Sequence, residues 1–548
     1  MNAWTGLRKA TEAEHRRFVA SLQEPDNAQA AQLRQILRQN AASELGRRFR
    51  FEDIHGSDAF RKRVPPRDPE DLRSDMNRVV SGEWRRLCGQ PVVSYEQTSG
   101  TTSGSRLVPY TSEGLYAFRR AVFPWLHDLL AHRPGIAAGR AYWAVSPIRR
   151  NSPGLLRNSA LRPVTEADYF GPDIAPQLNS VSAVPATIGQ VDDLTAWRYL
   201  ALRHLVDADD LTLISVWSPT FLTNLIDGLA VHAKTLIRDV AKGTVSRPAD
   251  NLHRNKGQFR PRPERAIALE NFFADGAREL ALIWPSLDTV SCWTHASAAR
   301  FLPPLSRSLP HAWIQGKGLF STEAAVSIPL GNQPFPVLAI NSGFFEFVES
   351  SGRSRLCGEV EQNETYSLRI TTHSGLYRYE LGDRVRICGW LGRTPTLEFL
   401  GRSSLASDLV GEKLAEHFVQ RALGDEPGFA MLAPQVAPCP RYLLFLDAET
   451  DPSTARDRAE ALDHRLSDNP HYRYARDLGQ LASVAPVRIP CAMARYQAVC
   501  LSRGQRLGDI KPPSLRPETD WLLRLSQDGP SLADTASRGS GAIPELGP

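Results

Sequence analysis

Residues 97–111 do more than any other stretch to predict the fold, and they read Gln97-Thr98-Ser99-Gly100-Thr101-Thr102-Ser103-Gly104-Ser105-Arg106-Leu107-Val108-Pro109-Tyr110-Thr111. An apolar run at 91–95 predicts a strand before them, and a helical pattern begins near Ser112 after them. Thr98–Thr102 contains only hydroxyl residues and glycine, which cannot build a core. Glycine lets backbone N–H groups approach an anion closely, and hydroxyls add donors. The stretch predicts a polyphosphate-binding loop, although alone it is equally typical of a flexible surface turn.

This loop differs from the common nucleotide motifs. It has no Gly-Lys-Ser/Thr at the spacing of a Walker A loop, and it is not a dinucleotide-binding fingerprint. Arg106 follows the second glycine closely, and its planar guanidinium can bind phosphate oxygens with two hydrogen bonds. We therefore expect Arg106 to assist phosphate binding.

The bulk composition limits the class of protein. A chain of 548 residues predicts two or more domains, and 42% hydrophobic with 23% charged residues is typical of soluble globular proteins. No apolar run approaches the length of a membrane span, and the N-terminus lacks the apolar core of a signal peptide. The seven cysteines are scattered, which argues against a zinc site or a disulfide framework. A cytoplasmic protein is expected, and oligomeric state cannot be read from the sequence.

The basic residues have an unusual composition. Only eight of the 65 are lysine, which indicates a bacterial genome and makes any lysine inside a motif worth attention. The net charge of +5 is small for this length, and no basic stripe is interleaved with aromatic residues. Nucleic-acid binding therefore has little support.

The order of elements predicts an α/β fold with two domains. Residues 1–90 show mostly helical patterns, and strands then alternate with helices, as in a largely parallel sheet. Strand patterns dominate from Val337 to Leu400 and predict a β-rich subdomain. We predict a large N-terminal domain over 1–402, with mixed and parallel sheets, a smaller α+β lid domain over 403–525, and a disordered tail over 526–548.

Four further clusters carry polar chemistry, and each also has an ordinary structural explanation. Thr322 and Glu323 follow a Gly-Lys-Gly turn and could bind phosphate and magnesium, or could form the first turn of a helix. Asp383 follows Gly382 and could accept ribose hydroxyls, or could belong to a simple hairpin. Arg402 ends a strand at the domain boundary, and Lys511 lies on a Gly-bounded loop before Pro-Pro; either could be a surface residue.

The order of these clusters resembles that of the adenylate-forming enzymes. Within that superfamily, the text around Gly316–Glu323, Gly375–Asp383 and Pro395–Leu414 is similar to the GH3 family of acyl-acid amido synthetases. The run Leu-Tyr-Arg-Tyr-x-Leu-Gly-Asp, at 376–383, is especially distinctive. The resemblance covers roughly residues 30–515. It implies that a carboxylic acid reacts with ATP to give an acyl-adenylate and pyrophosphate, and that an amine, normally of an amino acid, then displaces AMP.

The resemblance also implies roles for single residues. Phosphates would be held by Thr98, Ser99, Gly100, Thr101, Thr102, Ser103, Gly104 and Arg106. Thr322 would contact the α-phosphate, Glu323 would bind Mg²⁺, and Asp383 would bind the ribose with Tyr379 and Arg402 nearby. Lys511 would assist one half-reaction after movement of the small domain about residues near Arg402–Asp408. Trp217, Trp293 and Phe320 are candidate walls of the acid pocket, although each could be ordinary core.

Two other functions remain open at this point. The same adenylation could be followed by transfer to a thiol, either of coenzyme A or of a carrier protein. A catalytically silent acyl-binding protein could also keep the fold, although the preserved Thr-Glu, Gly-Asp and Lys motifs argue against it.

Overall fold

A computed structural model describes residues 2–98, 107–144, 169–191, 193–246, 259–274, 279–402 and 405–526. Its first sheet is parallel and has the order β3 (Arg140–Trp143), β4 (Leu211–Ser215), β5 (Thr289–Cys292) and β6 (Trp313–Gly316). Side chains alternate between the two faces of a strand. In β4, Leu213 accordingly packs into one hydrophobic core and Ile214 into another, so both faces of this sheet are covered.

The second sheet is antiparallel and forms the β-rich part predicted after residue 337. Its order is β10 (Ser354–Arg355), β9 (Phe344–Val348), β11 (Thr365–Thr371), β12 (Tyr379–Leu391), β13 (Thr394–Arg402), β8 (Val337–Leu338) and β7 (Ser327–Ile328). β9 is buried along its whole length, and four of its five residues are accordingly aromatic or β-branched. The fifth, Glu346, is paired with Arg378 at 2.9 Å. The first core cluster joins this sheet to the N-terminal helices and to Leu213 of the parallel sheet.

The α-helices of the described residues surround these sheets: α1 (Ala3–Ser21), α2 (Pro25–Asn40), α3 (Glu44–Arg48), α4 (Ser57–Arg63), α5 (Arg73–Val80), α6 (Ser112–His132), α7 (Ala175–Val181), α8 (Leu194–Asp207), α9 (Pro219–Lys242), α10 (Pro263–Ala274), α11 (Leu302–Ser308), α12 (Glu416–Leu423), α13 (Pro452–Leu466), α14 (Pro470–Asp477), α15 (Ala492–Ser502) and α16 (Trp521–Ser526). Thr111 caps α6, since its side chain accepts a hydrogen bond from the Gly114 backbone N–H. This cap fixes the start of the helix predicted near Ser112.

Beyond residue 402, the chain forms a smaller mixed sheet. β16 (Ala430–Gln435) pairs antiparallel with β17 (Arg441–Asp447), which pairs in parallel with β18 (Ala485–Ile489). Leu444 faces a core built with α12–α14, whereas Phe445 joins the core of the parallel sheet and its helices. A hydrogen bond of 2.6 Å from Asn224 Nδ2 to Gln497 Oε1 joins α9 to α15. The C-terminal part is thus packed directly against the large part of the molecule.

Short elements complete the described fold. β1 (Val92–Gln97) and β2 (Leu107–Thr111) form an antiparallel pair, and β14 (Ala406–Ser407) pairs with β15 (Leu414–Ala415). The predicted tail lies outside the described residues apart from Ser526, which ends α16. Within the described ranges, no helix combines the length and the hydropathy that a membrane crossing requires.

Candidate active site

One cavity lies where the parallel strands end and the antiparallel sheet begins. It is lined by predicted residues that are far apart in the sequence: Thr98, Trp217, Trp293, Phe320, Thr322, Glu323, Asp383, Arg402 and Lys511. The carboxyl ends of parallel strands meet at one edge of a sheet, which is where open α/β sheets bind ligands. The tertiary structure therefore brings the described members of the predicted nucleotide site together.

The predicted phosphate loop begins at this cavity. Thr98 lines the cavity directly after β1, and Gln97 is the strand partner of Leu107. The two strands that flank the predicted loop in sequence therefore pair with each other. Its other predicted residues, Ser99–Arg106, lie outside the described part of the chain.

Glu323 lies on a turn after β6. Its Oε1 is 3.2 Å from Tyr379 Oη, which brings these two predicted residues into contact. Burial raises the pKa of Glu323, and the nearby Arg402 guanidinium opposes the rise. The segment forms a Phe320–Ala325 bridge, and the Ala324 backbone N–H donates to Ser321 Oγ at 3.0 Å. It does not form the first turn of a helix, which was the alternative explanation of Thr-Glu.

Thr322 is held in the same turn by its backbone. Tyr110, at the end of the hairpin that contains the phosphate loop, donates its hydroxyl to the Thr322 carbonyl oxygen at 2.6 Å. This bond connects the phosphate-loop hairpin to the Thr-Glu turn, although the two are more than 200 residues apart in sequence.

Asp383 lies within a strand, so the hairpin turn considered at Gly382–Asp383 is wrong. Gly382 has a φ of 78°, and the pairing of β11 with β12 shifts register between Ser367–Arg384 and Arg369–Glu380. Between these two pairs β12 spans four residue steps and β11 spans only two. The extra residues of β12 form a bulge. A bulge can redirect a side chain without ending the strand, and a positive φ favours glycine there.

Arg402 ends β13, as predicted, and contacts Asp383. Its Nε donates to Asp383 Oδ1 at 3.2 Å, and the two residues are register partners in neighbouring strands. Burial raises the pKa of Asp383, while Arg402 and then Lys511 oppose the rise. A carboxylate with two cations beside it can stay charged in the cavity and accept hydroxyl donors.

Lys511 reaches the cavity from the C-terminal part of the molecule. Its Nζ lies 3.7 Å from the centroid of the Trp293 ring, a cation–π contact. The residue as a whole is exposed, yet the protein packed around its ammonium group removes part of its solvation and lowers the pKa of Lys511 to about 8. Arg402 lowers it further by repulsion, and Asp383 and Asp509 act in the opposite direction. An ammonium group of this kind can neutralise developing phosphate charge and also titrates near neutral pH.

Next to the residues predicted to bind the nucleotide, the cavity has an aromatic compartment. The Trp217 ring lies 5.8 Å from that of Trp293 and 5.7 Å from that of Phe320. The Trp293 backbone N–H donates to the Trp217 carbonyl at 2.8 Å, extending the pairing of β4 with β5. Further aromatic rings complete the lining: Tyr110, Phe118, Trp125, Trp143, Tyr169, Phe170 and Phe399. Such a surface suits an apolar, flat ligand.

Several lining residues were missed by the sequence reasoning. Arg506 Nη1 forms an ion pair of 2.9 Å with Glu96 Oε2, joining the loop before Lys511 to the strand before the phosphate loop. Lys317 Nζ donates to Ser215 Oγ at 2.8 Å. Weak signals existed: Glu96 is a charge next to an apolar strand, and Lys317 is one of the eight lysines. Neither signal identifies a partner distant in sequence.

The carboxylate side chains in the cavity could hold Mg²⁺ only together with a bound nucleotide. No group of three or more His, Cys, Asp or Glu side chains suited to a metal occurs in the part of the chain that the structure describes. Mg²⁺ is normally held by one or two carboxylates together with substrate phosphates and water. Glu323, in the cavity that also contains Thr98, provides one such carboxylate.

The sequence is similar to that of a known family over most of its length. The GH3 family N-terminal domain matches residues 14–314, and the GH3 family central domain matches residues 336–402. Indole-3-acetic acid-amido synthetase GH3.4 of Arabidopsis thaliana is 25% identical over 496 residues, covering 82% of this chain and 81% of that protein. GH3.2 of the same species, also named an indole-3-acetic acid-amido synthetase, is 23% identical, covering 86% of this chain and 94% of that protein.

Solved structures show the same fold. GH3.15 acyl acid amido synthetase superposes with a TM-score of 0.80 at 20% identity, covering 92% of this chain and 94% of that one. A 2-hydroxyisobutyryl-CoA ligase in the postadenylation state, in complex with 2-HIB-AMP, gives a TM-score of 0.51 at 11% identity, covering 92% and 91%. These likenesses confirm the predicted fold class, an α/β adenylate-forming architecture with a smaller C-terminal α+β part.

Proposed function

The chain belongs to the GH3 family, and from that premise we propose that it adenylates an aromatic carboxylic acid and joins it to the amine of an amino acid. The sequence prediction of an acid–amine ligase is confirmed, because the family relatives are named amido synthetases. An adenylate-forming fold implies ATP as the source of the adenylate. The class of acid, the use of Mg²⁺ and the roles of single residues are our proposal.

The observation that carries the proposal is the composition of one cavity. Charged residues suited to a nucleotide, including Asp383, Arg402 and Lys511, line the same space as the ring cluster of Trp217, Trp293 and Phe320. A nucleotide and a flat acid can therefore meet without leaving the cavity. The relatives named for indole-3-acetic acid, and the complex of AtGH3.15 with 2,4-DB, support an acid of this kind.

In the first step, a carboxylate oxygen of the acid attacks the α-phosphorus of ATP, and the bond from that phosphorus to the β-phosphate oxygen breaks. Asp383 accepts the ribose hydroxyls, and Tyr379 holds the Glu323 carboxylate in place. The negative charge of the phosphates is offset by the cations Arg106, Arg402 and Lys511, and by hydrogen bonds from Thr98–Gly104. Bound Mg²⁺, with Glu323 as its protein ligand, would neutralise the charge of the leaving pyrophosphate.

In the second step, the amine nitrogen forms a bond to the acyl carbon, AMP leaves, and the nitrogen loses a proton. AMP is a far better leaving group than the oxide of a free carboxylate. We propose that the lid domain, residues 403–525, turns about the segment near Arg402–Asp408 between the two steps and moves Lys511. The ion pair of Glu96 with Arg506 would then be broken, since it joins the lid to the phosphate-loop hairpin.

Acid-dependent pyrophosphate release tests this function. We expect release with aromatic acids and ATP, and faster turnover with amide formation when an amino acid is added. Faster turnover only with coenzyme A would favour the thiol ligase, whose fold is also similar. No release with any acid would favour a silent acyl-binding protein.

Two finer assignments follow the same reasoning. The low share of lysine supports a bacterial member of the family, in contrast to the plant relatives reported above. The sequence also supports a cytoplasmic location, which fractionation of the source cells would test. Neither assignment affects the chemistry of the cavity.

A further inference from the structure

We propose that Lys317 is a specificity-determining residue that selects acids with a second oxygen acceptor, placed away from the reacting carboxyl group. The inference rests on the proposed function, because it concerns the acid that enters the same cavity. The occupant we propose is an aromatic carboxylic acid with a hydroxyl or a second carboxylate on its ring.

The ammonium group of Lys317 lies inside the aromatic compartment. Its Nζ is 4.9 Å from the centroid of the Trp125 ring and 5.1 Å from that of Trp217. Trp125 is fixed in turn, since its Nε1 donates to Gln315 Oε1 at 2.9 Å in a buried contact. The residue as a whole is only 8% exposed. A buried cation is therefore part of an otherwise largely apolar wall.

The backbone directs Lys317 to this position. Its N–H donates to the Cys292 carbonyl at 2.8 Å, continuing the pairing of β5 with β6 beyond the end of β6. From there the side chain crosses the carboxyl edge of the sheet and donates to Ser215 Oγ, at the end of β4, at 2.8 Å. The ammonium is thus positioned by three neighbouring strands and not by a mobile loop.

The charge of Lys317 acts on a different group from the charges of Arg402 and Lys511. The positive charges that act on Asp383 come from Arg402 and Lys511. The charge of Lys317 acts on the Cys292 thiol, at the end of β5. Asp383 therefore has its own cations, whereas the ammonium group of Lys317 lies with Trp125 and Trp217 in the aromatic compartment.

The chemistry favours an oxygen acceptor over a hydrocarbon. An ammonium group has three N–H donors, and hydrogen bonds from charged donors are roughly twice as strong as neutral ones. A site built to hydrogen-bond its substrate discriminates strongly against the analogue that lacks the polar group. The faces of the indole rings attract the ammonium group by cation–π contact. They do not replace the oxygen atom that would accept a hydrogen bond from it.

The amino-acid carboxylate is a less suitable partner for this cation. A smaller neighbouring cavity shares Trp293, Lys317 and Lys511 with the main one. Ser215 and Trp125, which contact the ammonium group, line the main cavity and not the smaller one. The charged end of Lys317 therefore points into the acid compartment.

The test compares matched acids that carry hydrogen, a hydroxyl or a carboxylate at the ring position remote from the reacting group. Pyrophosphate release with ATP gives kcat/KM for each acid, and tryptophan fluorescence gives binding independently of turnover. We expect the wild type to prefer an oxygen-bearing acid by about tenfold or more. In Lys317→Met, which keeps the length and removes the charge, the preference should fall to within about twofold. Lys317→Arg should retain part of it.

Lys62→Met, an exposed lysine on α4, is the matched control and should leave the preference unchanged. If Lys317→Met does not fold, Ser215→Ala provides the second variant and should reduce the same ratio. An equal ratio in wild type and variant would overturn the proposal, as would a variant defect confined to the KM of the amino acid. If kcat/KM for pyrophosphate release is the same for all the acids, only this inference is overturned. If no acid gives pyrophosphate release, the proposed function is overturned as well.

Discussion

The ionisation of Lys511 provides a quantitative test of the site. Its pKa is lowered to about 8, mainly by loss of solvation and further by Arg402. A group with that pKa is about 91% protonated at pH 7 and about 9% at pH 9. If the ammonium group assists adenylation, kcat/KM for ATP should fall about tenfold between these two pH values. The direction is fixed: activity is retained below the pKa and lost as pH rises through it.

Pyrophosphate release at saturating acid, without amine, is the appropriate assay. The pH dependence of kcat/KM reports groups of the free enzyme, and omission of the amine removes the titration of the acceptor. Lys511→Arg should abolish the fall, because a guanidinium stays charged throughout this range. Lys511→Met should be about a hundredfold slower at pH 7 and flat from pH 7 to 9. Lys9→Met, on exposed α1 surface, serves as the control.

Two outcomes would refute this reasoning. A wild-type profile that is flat between pH 7 and 9 would show that the ammonium group is not required in its charged form. A midpoint near pH 8 that persists in Lys511→Arg would assign the titration to another group. In either case Lys511 would have to be removed from the adenylation step.

The remaining predictions concern the residues around Lys511. Glu323→Gln should reduce pyrophosphate release about a hundredfold and weaken its dependence on added Mg²⁺, whereas an unchanged Mg²⁺ titration would exclude Glu323 as the metal ligand. Asp383→Asn should raise the KM for ATP, and it should narrow the difference between ATP and 2′-deoxy-ATP, because the lost acceptor is the one that binds the ribose hydroxyls; an undiminished difference would contradict that role. Arg506→Met should make the segment near Arg402–Asp408 more sensitive to limited proteolysis in the absence of ligand, since it removes the ion pair with Glu96; identical digestion patterns would count against lid movement about this segment.

Much of the candidate site could be predicted from local sequence. The Gly-rich loop, the Thr322–Glu323 turn and Gly382–Asp383 each consist of small or charged residues next to strand patterns, and such combinations are recognisable without a structure. Arg402 was predicted to end a strand and does so. Trp217 and Trp293 were predicted to share one pocket and do line the same cavity, because each follows a strand of the parallel sheet and lies at its carboxyl edge.

The conformation at Asp383 could not be read correctly from its neighbours. Glycine followed by Asp is typical of a turn, but the strand continues on both sides because β11 and β13 pair with it. Pairing partners distant in sequence decide between a turn and a bulge, since both accept a glycine at positive φ. The same limitation applies to Glu96 and Arg506, whose pairing spans most of the chain.

The sequence by itself determined the family, the order of the motifs and the types of side chain available for chemistry. These are properties of short segments, and each segment carries them wherever it lies. Only the tertiary structure decided which segments share a cavity. It also decided that Arg402 and Lys511 are the cations that act on Asp383, and that Lys317 lies between two indole rings. Charge interactions and solvation depend on distance and burial, and the packing of three sheets sets both of these. Lys317 and Lys511 are the same type of residue, and it is their different surroundings in the folded chain that give them different expected roles.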